Sequence, residues 1–379
     1  MQITNQEIKE CVDLRACAYT NWYKKFRKIT FESICIPLPK EIVQYLLDEI
    51  IILPKECYSN DDDNENAFGP DTAATAADNE DDDDDVIQPQ FPEFSETLAN
   101  ALSRLDGSVF VKTNWNSPKD AFWITAGQTM CCKDIIDVYQ LLKASGICKE
   151  DLSCHNLPIF DLEPLAEACS SSDTDSSDSS INQSMENSQY LIFKKWHDIH
   201  PGTEFRCFVQ NKRLIGISPR DWPQYHEYIC TQRVNIVNDI VTTFKEHIEP
   251  KFPLYDYVFD VVRDAKDRVF LLDFSPFNEK YTESLAFEWS DLLVDSEISS
   301  NDDEEEDPEF RYLSADCGIQ PNKRNNYGIP KDVIDMFRAS SSNSSNSNES
   351  PNTLDDVINN RLGNIFLNQP DEEQAPEAE

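Results

Sequence analysis

The chain has 379 residues, of which 71 are acidic and 33 are basic, giving a formal net charge of −38. This length suits one large or two ordinary domains, and so acidic a protein would repel phosphate backbones, which argues against a general nucleic-acid binder. We expect neither a signal peptide nor a membrane segment. The chain starts with polar residues, and no apolar run approaches the roughly 20 residues that span a bilayer.

The twelve cysteines and five histidines form no pattern typical of a zinc site. The cysteines are scattered, and no Cys-x-x-Cys pair occurs. Such a distribution favours reduced thiols in a cytosolic or nuclear protein.

Residues 1–58 form the first ordered block and are predicted to be the N-terminal part of a first lobe. They contain an aromatic cluster and a helix-like stretch at 42–50. Residues 59–89 are an acidic insertion, in which positions 60–85 hold twelve acids and no base. Such a run repels itself and buries no apolar surface, so we expect a disordered segment; an acidic arm for a basic partner is the open alternative.

Residues 90–169 are predicted to complete the first lobe, with a phosphate-facing strand and loop. The spacing of the apolar residues predicts the elements of this block. They are, in order, a helix at 98–105, a strand at 109–112, a strand at 121–124 and a helix at 134–143. Asp106 and Gly107 are typical of the end of a helix, so the first helix is expected to stop there.

Residues 170–188 are predicted to be a disordered Ser/Asp linker, and its serines beside acids are alternatively candidate kinase substrates. Residues 189–294 are predicted to form a second lobe. Its elements are strands at 190–196, 204–209 and 213–217, a long helix with the apolar stripe Val234, Val237, Val241, Phe244 and Ile248, and a β-hairpin at 257–274. An acidic loop at 295–310, an extension at 311–339 and a disordered tail at 340–379 complete the chain. Strands dominate the centre and helices flank them, so the fold class is α+β.

Two aspartates face each other in the predicted hairpin. If Lys266 and Asp267 are the central turn residues, Asp260 pairs with Asp273, and side-chain alternation puts Ser275 on the same face. Like charges directly opposed destabilise a sheet, so a divalent cation bound to these oxygens is a candidate compensation. The alternatives are a register shifted by one residue, or an aspartate at a strand end in solvent.

Lys112 ends a predicted strand beside a polar loop, where its ammonium group suits phosphate oxygens. A lysine that merely extends to solvent is the alternative. Asn114, Trp115 and Trp123 add amide and indole groups to the loop and the segment after it. The region lacks the G-x-x-x-x-G-K-[ST] sequence, so a P-loop is excluded.

Two later strands place polar and aromatic side chains on one face each. Lys194 and Trp196 alternate as a wall for an aromatic ring, although a core position for Trp196 stays open. Glu204 and Arg206 share a face, and the apolar residues between and beyond them share the other. If that apolar face packs in the core, Arg206 points its guanidinium group into an open site; a buried Glu204–Arg206 pair is the alternative.

Arg220 and Asp221 follow the next strand and are a weaker signal of the same kind. Together, the cations, the aromatic rings and the oxygen-rich hairpin are the inventory of a nucleotide–Mg²⁺ site built on sheets, because Mg²⁺ prefers carboxylates together with phosphate oxygens.

Four segments occur in an order and spacing typical of one family: 112–121 (KTNWNSPKDA), 194–196 (KKW), 201–209 (PGTEFRCFV) and 273–277 (DFSPF). They resemble the cell-division-cycle protein 123 family, and the resemblance covers roughly residues 10–58 and 90–290. It implies an ATP-grasp-like fold, in which two α+β lobes hold the nucleotide between them.

The resemblance also implies roles for individual residues. Lys112 and Lys194 would contact phosphates, and Trp196 would lie near the adenine. The full implied ATP-binding set is Lys112, Asn114, Trp115, Ala121, Trp123, Lys194, Lys195, Trp196, Glu204, Arg206, Arg220 and Asp221, and the implied Mg²⁺ ligands are Asp260, Asp273 and Ser275.

The chain departs from the family pattern at three positions. Ser275 stands where the family usually has Asn, which replaces an amide oxygen by a shorter hydroxyl group. Lys194 stands where Arg is usual, which keeps the charge but loses the bidentate geometry. Pro219 replaces a Gln before Arg220, a change that we interpret as structural.

The function implied by the resemblance is that of an assembly chaperone for eukaryotic translation initiation factor 2. The chain would bind ATP and Mg²⁺, act on the gamma subunit and promote its union with the alpha subunit, as a cytoplasmic monomer that is not an enzyme. One alternative is an ATP-grasp ligase that joins a carboxylate to an amine. A scaffold with a relict pocket is another.

Overall fold

A computed structural model describes residues 5–58, 88–125, 129–153, 189–293 and 307–315. Most of the low-complexity sequence lies outside these ranges, so the structure does not test the disorder expected at 59–87, 170–188, 295–306 and 340–379. No helix in the described ranges is long and apolar enough to cross a membrane.

The described residues form α-helices and β-strands in alternating groups. The helices are α1 (Asn5–Cys17), α2 (Tyr19–Phe26), α3 (Lys40–Leu47), α4 (Pro92–Arg104), α5 (Ile135–Ala144), α6 (Gly146–Ser153), α7 (Glu227–Thr243) and α8 (Trp289–Leu292). The strands are β1 (Ser33–Pro37), β2 (Val109–Lys112), β3 (Cys131–Cys132), β4 (Tyr190–Lys195), β5 (Glu204–Gln210), β6 (Arg213–Pro219), β7 (Tyr257–Arg263), β8 (Val269–Pro276) and β9 (Glu309–Phe310). Mixed α and β structure confirms the predicted class.

The first sheet has four strands in the order β1-β4-β2-β3, and all its neighbours are antiparallel. Apolar residues of α3, α4, α5 and α6 pack with those of the strands in one core, which includes Leu46, Leu98 and Val111. The sequence predicted both α4 and α5, although α4 begins six residues before the predicted start at 98. Asp134 caps α5, because its carboxylate accepts from Asp137 N at 2.8 Å.

The second sheet has five strands in the order β8-β7-β5-β6-β9. Its last strand, β9, runs parallel to β6, so the acidic loop predicted at 295–310 ends before Glu309. Helix α7 packs on the sheet through Ile229, Ile236 and Ile240. The predicted stripe on this helix was wrong at Val234, which is 60% exposed. Several apolar stripes are available on such a helix, and packing selects one.

Two parts of the chain pack with a different sheet from the one expected from their predicted lobe. Strand β4 belongs to the first sheet, where Phe193 pairs with both β1 and β2. Conversely, α1 and α2 pack against the second sheet, where the rings of Trp22 and Phe26 each lie 5.2 Å from the ring of Phe274. The lobe boundaries predicted at 1–58 and 189–294 therefore differ from the sheets, because strand pairing joins residues far apart in sequence.

The strand predicted at 121–124 is wrong. Phe122–Ile124 is a 3-10 helix, and β2 pairs instead with Cys131–Cys132. Local hydrogen bonds hold the turn: Trp123 Nε1 donates to Asp120 O at 3.0 Å, and Thr125 Oγ1 donates to Phe122 O at 3.0 Å. A short run of aromatic and β-branched residues is typical of a strand, and these local bonds override that tendency.

The hairpin of β7 and β8 pairs Asp260 with Asp273, as predicted. The prediction of a two-residue turn was wrong, because the loop comprises residues 265–267, with Asp267 at φ +62°. A longer loop shifts the register by one near the turn. A β-bulge then leaves Leu272 without a partner residue on β7 and restores the predicted register beyond it.

Candidate functional site between the two sheets

A cavity of about 440 Å³ lies between the two sheets, lined by residues of β2 and β4 on one side and of β5, β7 and β8 on the other. The predicted site residues on its wall are Lys112, Trp115, Lys194, Lys195, Trp196, Glu204, Arg206, Arg220, Asp260, Asp273 and Ser275. The structure therefore brings together most of the residues that the sequence singled out.

Two arginines hold Asp260 on the second sheet. Arg206 lies opposite it on β5, and donates from Nε to Oδ1 at 2.8 Å and from Nη2 to Oδ2 at 2.9 Å. Arg220 Nη1 lies 3.4 Å from Oδ2. Burial raises the pKa of the Asp260 carboxyl group, but Arg206 and then Arg220 outweigh that effect and hold this pKa at about 2. Asp260 is therefore ionised and its charge is compensated.

Arg206 reaches the site because its strand alternates as predicted. Phe205, Cys207 and Val209 point to the opposite face and are fully buried in the core of the second sheet. The guanidinium group is itself held on a third side, where Nη1 donates to Glu283 O at 2.9 Å. The side chain is thereby fixed in position before any ligand arrives.

Asp273 pairs with Lys112 across the gap between the sheets. Lys112 Nζ donates to Asp273 Oδ2, and Asp273 Oδ1 accepts from Phe274 N at 3.1 Å. The Lys112 side chain is only 3% exposed, so it does not extend to solvent. Its ammonium group also lies 5.3 Å from the centroid of the Tyr19 ring.

Basic side chains thus compensate the repulsion between the opposed aspartates, whereas the sequence suggested a divalent cation. Arg206 and Arg220 compensate one carboxylate and Lys112 compensates the other. Opposed carboxylates alone therefore do not require a metal here. Within the described ranges, no group of three or more His, Cys, Asp and Glu side chains is arranged to hold a metal ion.

Lys194 is the second buried lysine at the site. It lies on β4, and its Nζ donates to Leu272 O at 2.8 Å, the carbonyl of the bulged residue of β8. Burial lowers the pKa of Lys194 to about 8, with Asp273 opposing and Lys112 adding to this effect. An anion placed beside Lys194 would raise that pKa again.

Apolar and aromatic side chains also line the cavity. They are those of Trp196, Phe31, Phe110, Met130, His197 and Ile199. Phe31 stacks on His197 with the ring centroids 4.1 Å apart, and on Phe270 at 5.3 Å. Trp196 is half-buried in the cavity wall and is not part of the buried core. The wall of the cavity therefore combines charged groups with aromatic rings.

Three predicted residues of the 112–123 region lie away from the cavity wall. Asn114 accepts from Thr20 N at 3.3 Å and from Thr20 Oγ1 at 3.2 Å, which ties the loop to α2. Ala121 is fully buried in the core of the first sheet. The Trp123 indole is turned to Asp120, as described above. Trp115 does line the cavity, and its Nε1 donates to Leu14 O at 2.9 Å.

Asp221 is also outside the cavity wall, although Arg220 beside it lines the site. Its Oδ2 lies 3.2 Å from His226 Nε2, next to the start of α7. The ring of His226 packs on Gly202, where an added Cβ would come within 2.8 Å of the ring. Asp221 thus joins the ends of β5 and β6 to α7, and it supports the backbone that carries Arg220.

The lining residues that the sequence did not suggest include both apolar and polar side chains. Phe31, Phe110 and Met130 come from three separate segments, and each reads as an ordinary core residue. Tyr281 and Glu283 follow β8 in a loop. Alternation on β2 puts Phe110 on the same face as Lys112, and this was the one signal available in the sequence.

Comparisons with known proteins identify the family. A family model described as D123 matches residues 22–337. The chain belongs to the D123 family. One D123 relative, named translation initiation factor eIF2 assembly protein, from Xenopus tropicalis, is 36% identical over 326 residues, covering 84% of this chain and 90% of the relative. The protein of the same name from Danio rerio is 34% identical and covers 84% of this chain and 88% of the relative.

A solved D123-family structure is also similar. Cdc123 from Schizosaccharomyces pombe shares 28% sequence identity with this chain, with a TM-score of 0.54, and the match covers 82% of this chain and 98% of Cdc123. The resemblance to the cell-division-cycle protein 123 family is thereby confirmed, and so is the mixed α and β architecture of a D123 protein.

Proposed function

We propose that this D123-family chain binds ATP with Mg²⁺ between its two sheets and acts in the assembly of eukaryotic translation initiation factor 2 in the cytoplasm. The observation that carries the ATP proposal is the lining of the cavity. Two lysines and two arginines line it together with aromatic rings, as a nucleotide requires, and its size suits a small-molecule site. The partner follows from the name shared by the relatives.

The basic residues of the cavity wall fit a polyphosphate. Lys112 and Lys194 project from the first sheet, while Arg206 and Arg220 project from the second. Lysine meets a phosphate as a compact charge, and arginine meets it through a planar pair of donors. An anion that enters between the sheets would thus contact cations on both sides.

The two hairpin aspartates are not equally suited to bind a magnesium ion, although the family pattern implies that both are ligands. Asp273 forms an ion pair with one lysine, Lys112, and Ser275 lies two residues further along β8 on the same cavity wall. Asp260 is already held by two arginines, which leaves less negative charge for a cation. We therefore propose Asp273 as the main protein ligand, assisted by Ser275 and Asp260, with phosphate oxygens completing the set.

The aromatic rings would take the base. Trp196 offers a ring there, beside the stacked rings of Phe31 and His197, and base–aromatic stacking tolerates many orientations. Glu204 and Lys195 also line the cavity. The two lobes with a nucleotide between them would then constitute an ATP-grasp-like arrangement.

In the assembly role, the ATP-bound chain would bind the gamma subunit of the factor and favour its union with the alpha subunit. We propose that it does so as a monomer, without contacting nucleic acid or membrane and without catalysing a reaction. A bound nucleotide would act by fixing the two sheets relative to each other, which stabilises one partner-binding conformation.

Capture of the factor tests this role. Full-length chain is immobilised and mixed with the gamma subunit, with and without Mg²⁺·ATP, beside an Arg220→Met variant and a Lys266→Met control that removes one exposed charge in the hairpin turn. We expect capture by the wild type and the control with Mg²⁺·ATP, and reduced capture by Arg220→Met. Nucleotide-independent capture by all three would contradict the proposal. ADP release that depends on an added carboxylic acid would instead support the ligase alternative.

A further inference from the structure

We propose that the Lys112–Asp273 ion pair couples the two ligands of the site, so that a divalent cation and a polyphosphate bind together and neither binds strongly alone. This inference rests on the proposed function. In the structure, Lys112, which suits a phosphate, and Asp273, which suits a metal ion, form an ion pair with each other.

Among the described residues, Lys112 and Asp273 each form their ion pair with the other. Lys194 is a further cation near enough to act on both, and the ammonium groups of Lys112 and Lys194 lie 5.3 and 5.2 Å from the centroid of the Tyr19 ring. The Lys112 side chain is 3% exposed and that of Asp273 22%. A buried charge that loses its partner is strongly destabilised, so neither member is free to leave without a replacement.

Each ligand alone would leave one member of the pair without a partner. A divalent cation on Asp273 would lie beside the buried ammonium group of Lys112, which repels it. A polyphosphate on Lys112 would lie beside the carboxylate of Asp273, which repels it in turn. When both ligands arrive, Lys112 transfers to the phosphate and Asp273 to the cation, so one ion pair is exchanged for two.

The Lys112–Asp273 pair differs from the ion pairs of Asp260. Asp260, the opposed carboxylate, has two arginine partners, so it still has one if the other turns to a phosphate, and its pair with Arg206 lies within one sheet. The Lys112–Asp273 pair joins β2 of the first sheet to β8 of the second. Release of the pair therefore also removes a contact between the sheets.

The chain contains a matched control. Lys194 is buried at the same cavity, lies on the same sheet as Lys112 and carries the same charge, but its ammonium group donates to the backbone carbonyl of Leu272. Lys194→Met removes the same long-range repulsion as Lys112→Met without freeing a carboxylate. The two variants thus separate pair exchange from general electrostatics.

Nucleotide-free binding of Mn²⁺ is the decisive measurement. Full-length wild type, Lys112→Met, Lys112→Gln and Lys194→Met are titrated with Mn²⁺ alone, and free Mn²⁺ is followed by electron paramagnetic resonance. We expect Lys112→Met to bind Mn²⁺ about tenfold more tightly than the wild type or better, and Lys194→Met to stay within about threefold of it. Lys112→Gln should behave as Lys112→Met, which provides a second variant if the first folds poorly.

Equal tightening by the Lys112 and Lys194 variants, or no tightening by either Lys112 variant, would overturn the proposal. A parallel titration of the wild type with Mg²⁺·ATP tests the proposed function separately. Wild type that binds Mg²⁺·ATP while the Lys112 variants fail to gain Mn²⁺ affinity contradicts the coupling alone. Wild type that binds no nucleotide contradicts the proposed function, whatever the Mn²⁺ result.

Discussion

Lys194 makes the ligand-free protein less stable at neutral pH than at alkaline pH. The pKa of this buried side chain is lowered from 10.5 to about 8, so its charged form is disfavoured in the folded state. Between those two values the unfolded chain binds a proton that the folded chain does not, and stability therefore rises with pH. A gap of this size corresponds to about 3 kcal/mol, gained as the pH rises through 8 towards 10.5.

The perturbation is Lys194→Met, compared with the wild type by urea unfolding from pH 7 to pH 10.5 without nucleotide. Lys143, whose pKa burial also lowers to about 8, titrates in the same window but is present in both proteins. The difference in the free energy of unfolding, wild type minus variant, should therefore increase by about 3 kcal/mol across this window. A difference that stays constant with pH, or that falls, would refute the account of a desolvated, charged Lys194.

Three further predictions concern Lys194, the Arg206–Asp260 pair and the contact between Gly202 and His226. Binding of Mg²⁺·ATP at pH 8 should take up about half a proton, because phosphates beside Lys194 raise its pKa again; calorimetry in buffers of different ionisation enthalpy measures this, and no uptake would contradict it. Arg206→Met should lower the free energy of unfolding by roughly 3 kcal/mol, while the control Arg268→Met, which breaks the exposed pair with Asp264, should lower it by less than about 1 kcal/mol; equal losses in urea titrations would count against the buried pair. Gly202→Ala should destabilise the chain by more than about 1 kcal/mol, because its Cβ would lie 2.8 Å from the His226 ring, and His226→Ala should remove most of that penalty; an undiminished loss in the double variant would show that the ring is not the obstacle.

The sequence predicted those features of the site that depend on local alternation. Arg206 faces the cavity because its neighbours on β5 are apolar and buried, as the pattern indicated. The pairing of Asp260 with Asp273 was also predicted, but the hairpin differs from the predicted one in two ways that cancel. The loop is one residue longer, which shifts the register, and the bulge at Leu272 restores it. Neither difference has a clear signal in the sequence.

Features that depend on distant packing were not predictable from local patterns. The sheet that β4 joins is decided by its pairing with β1 and β2, which lie far away in the chain. The apolar wall of the cavity was missed because Phe31 and Met130 look like core residues. The partners of the two aspartates were missed as well, since Lys112 and Asp273 meet across the gap between two sheets.

Direct binding of Mg²⁺·ATP tests the central claim most simply. Full-length chain is titrated with Mg²⁺·ATP by calorimetry at pH 7, beside Arg220→Met and the exposed-charge control Lys266→Met. We expect saturable binding of one nucleotide to the wild type and the control, and an affinity at least about tenfold lower for Arg220→Met. Absence of binding to the wild type, or equal binding by all three proteins, would contradict the nucleotide site between the sheets.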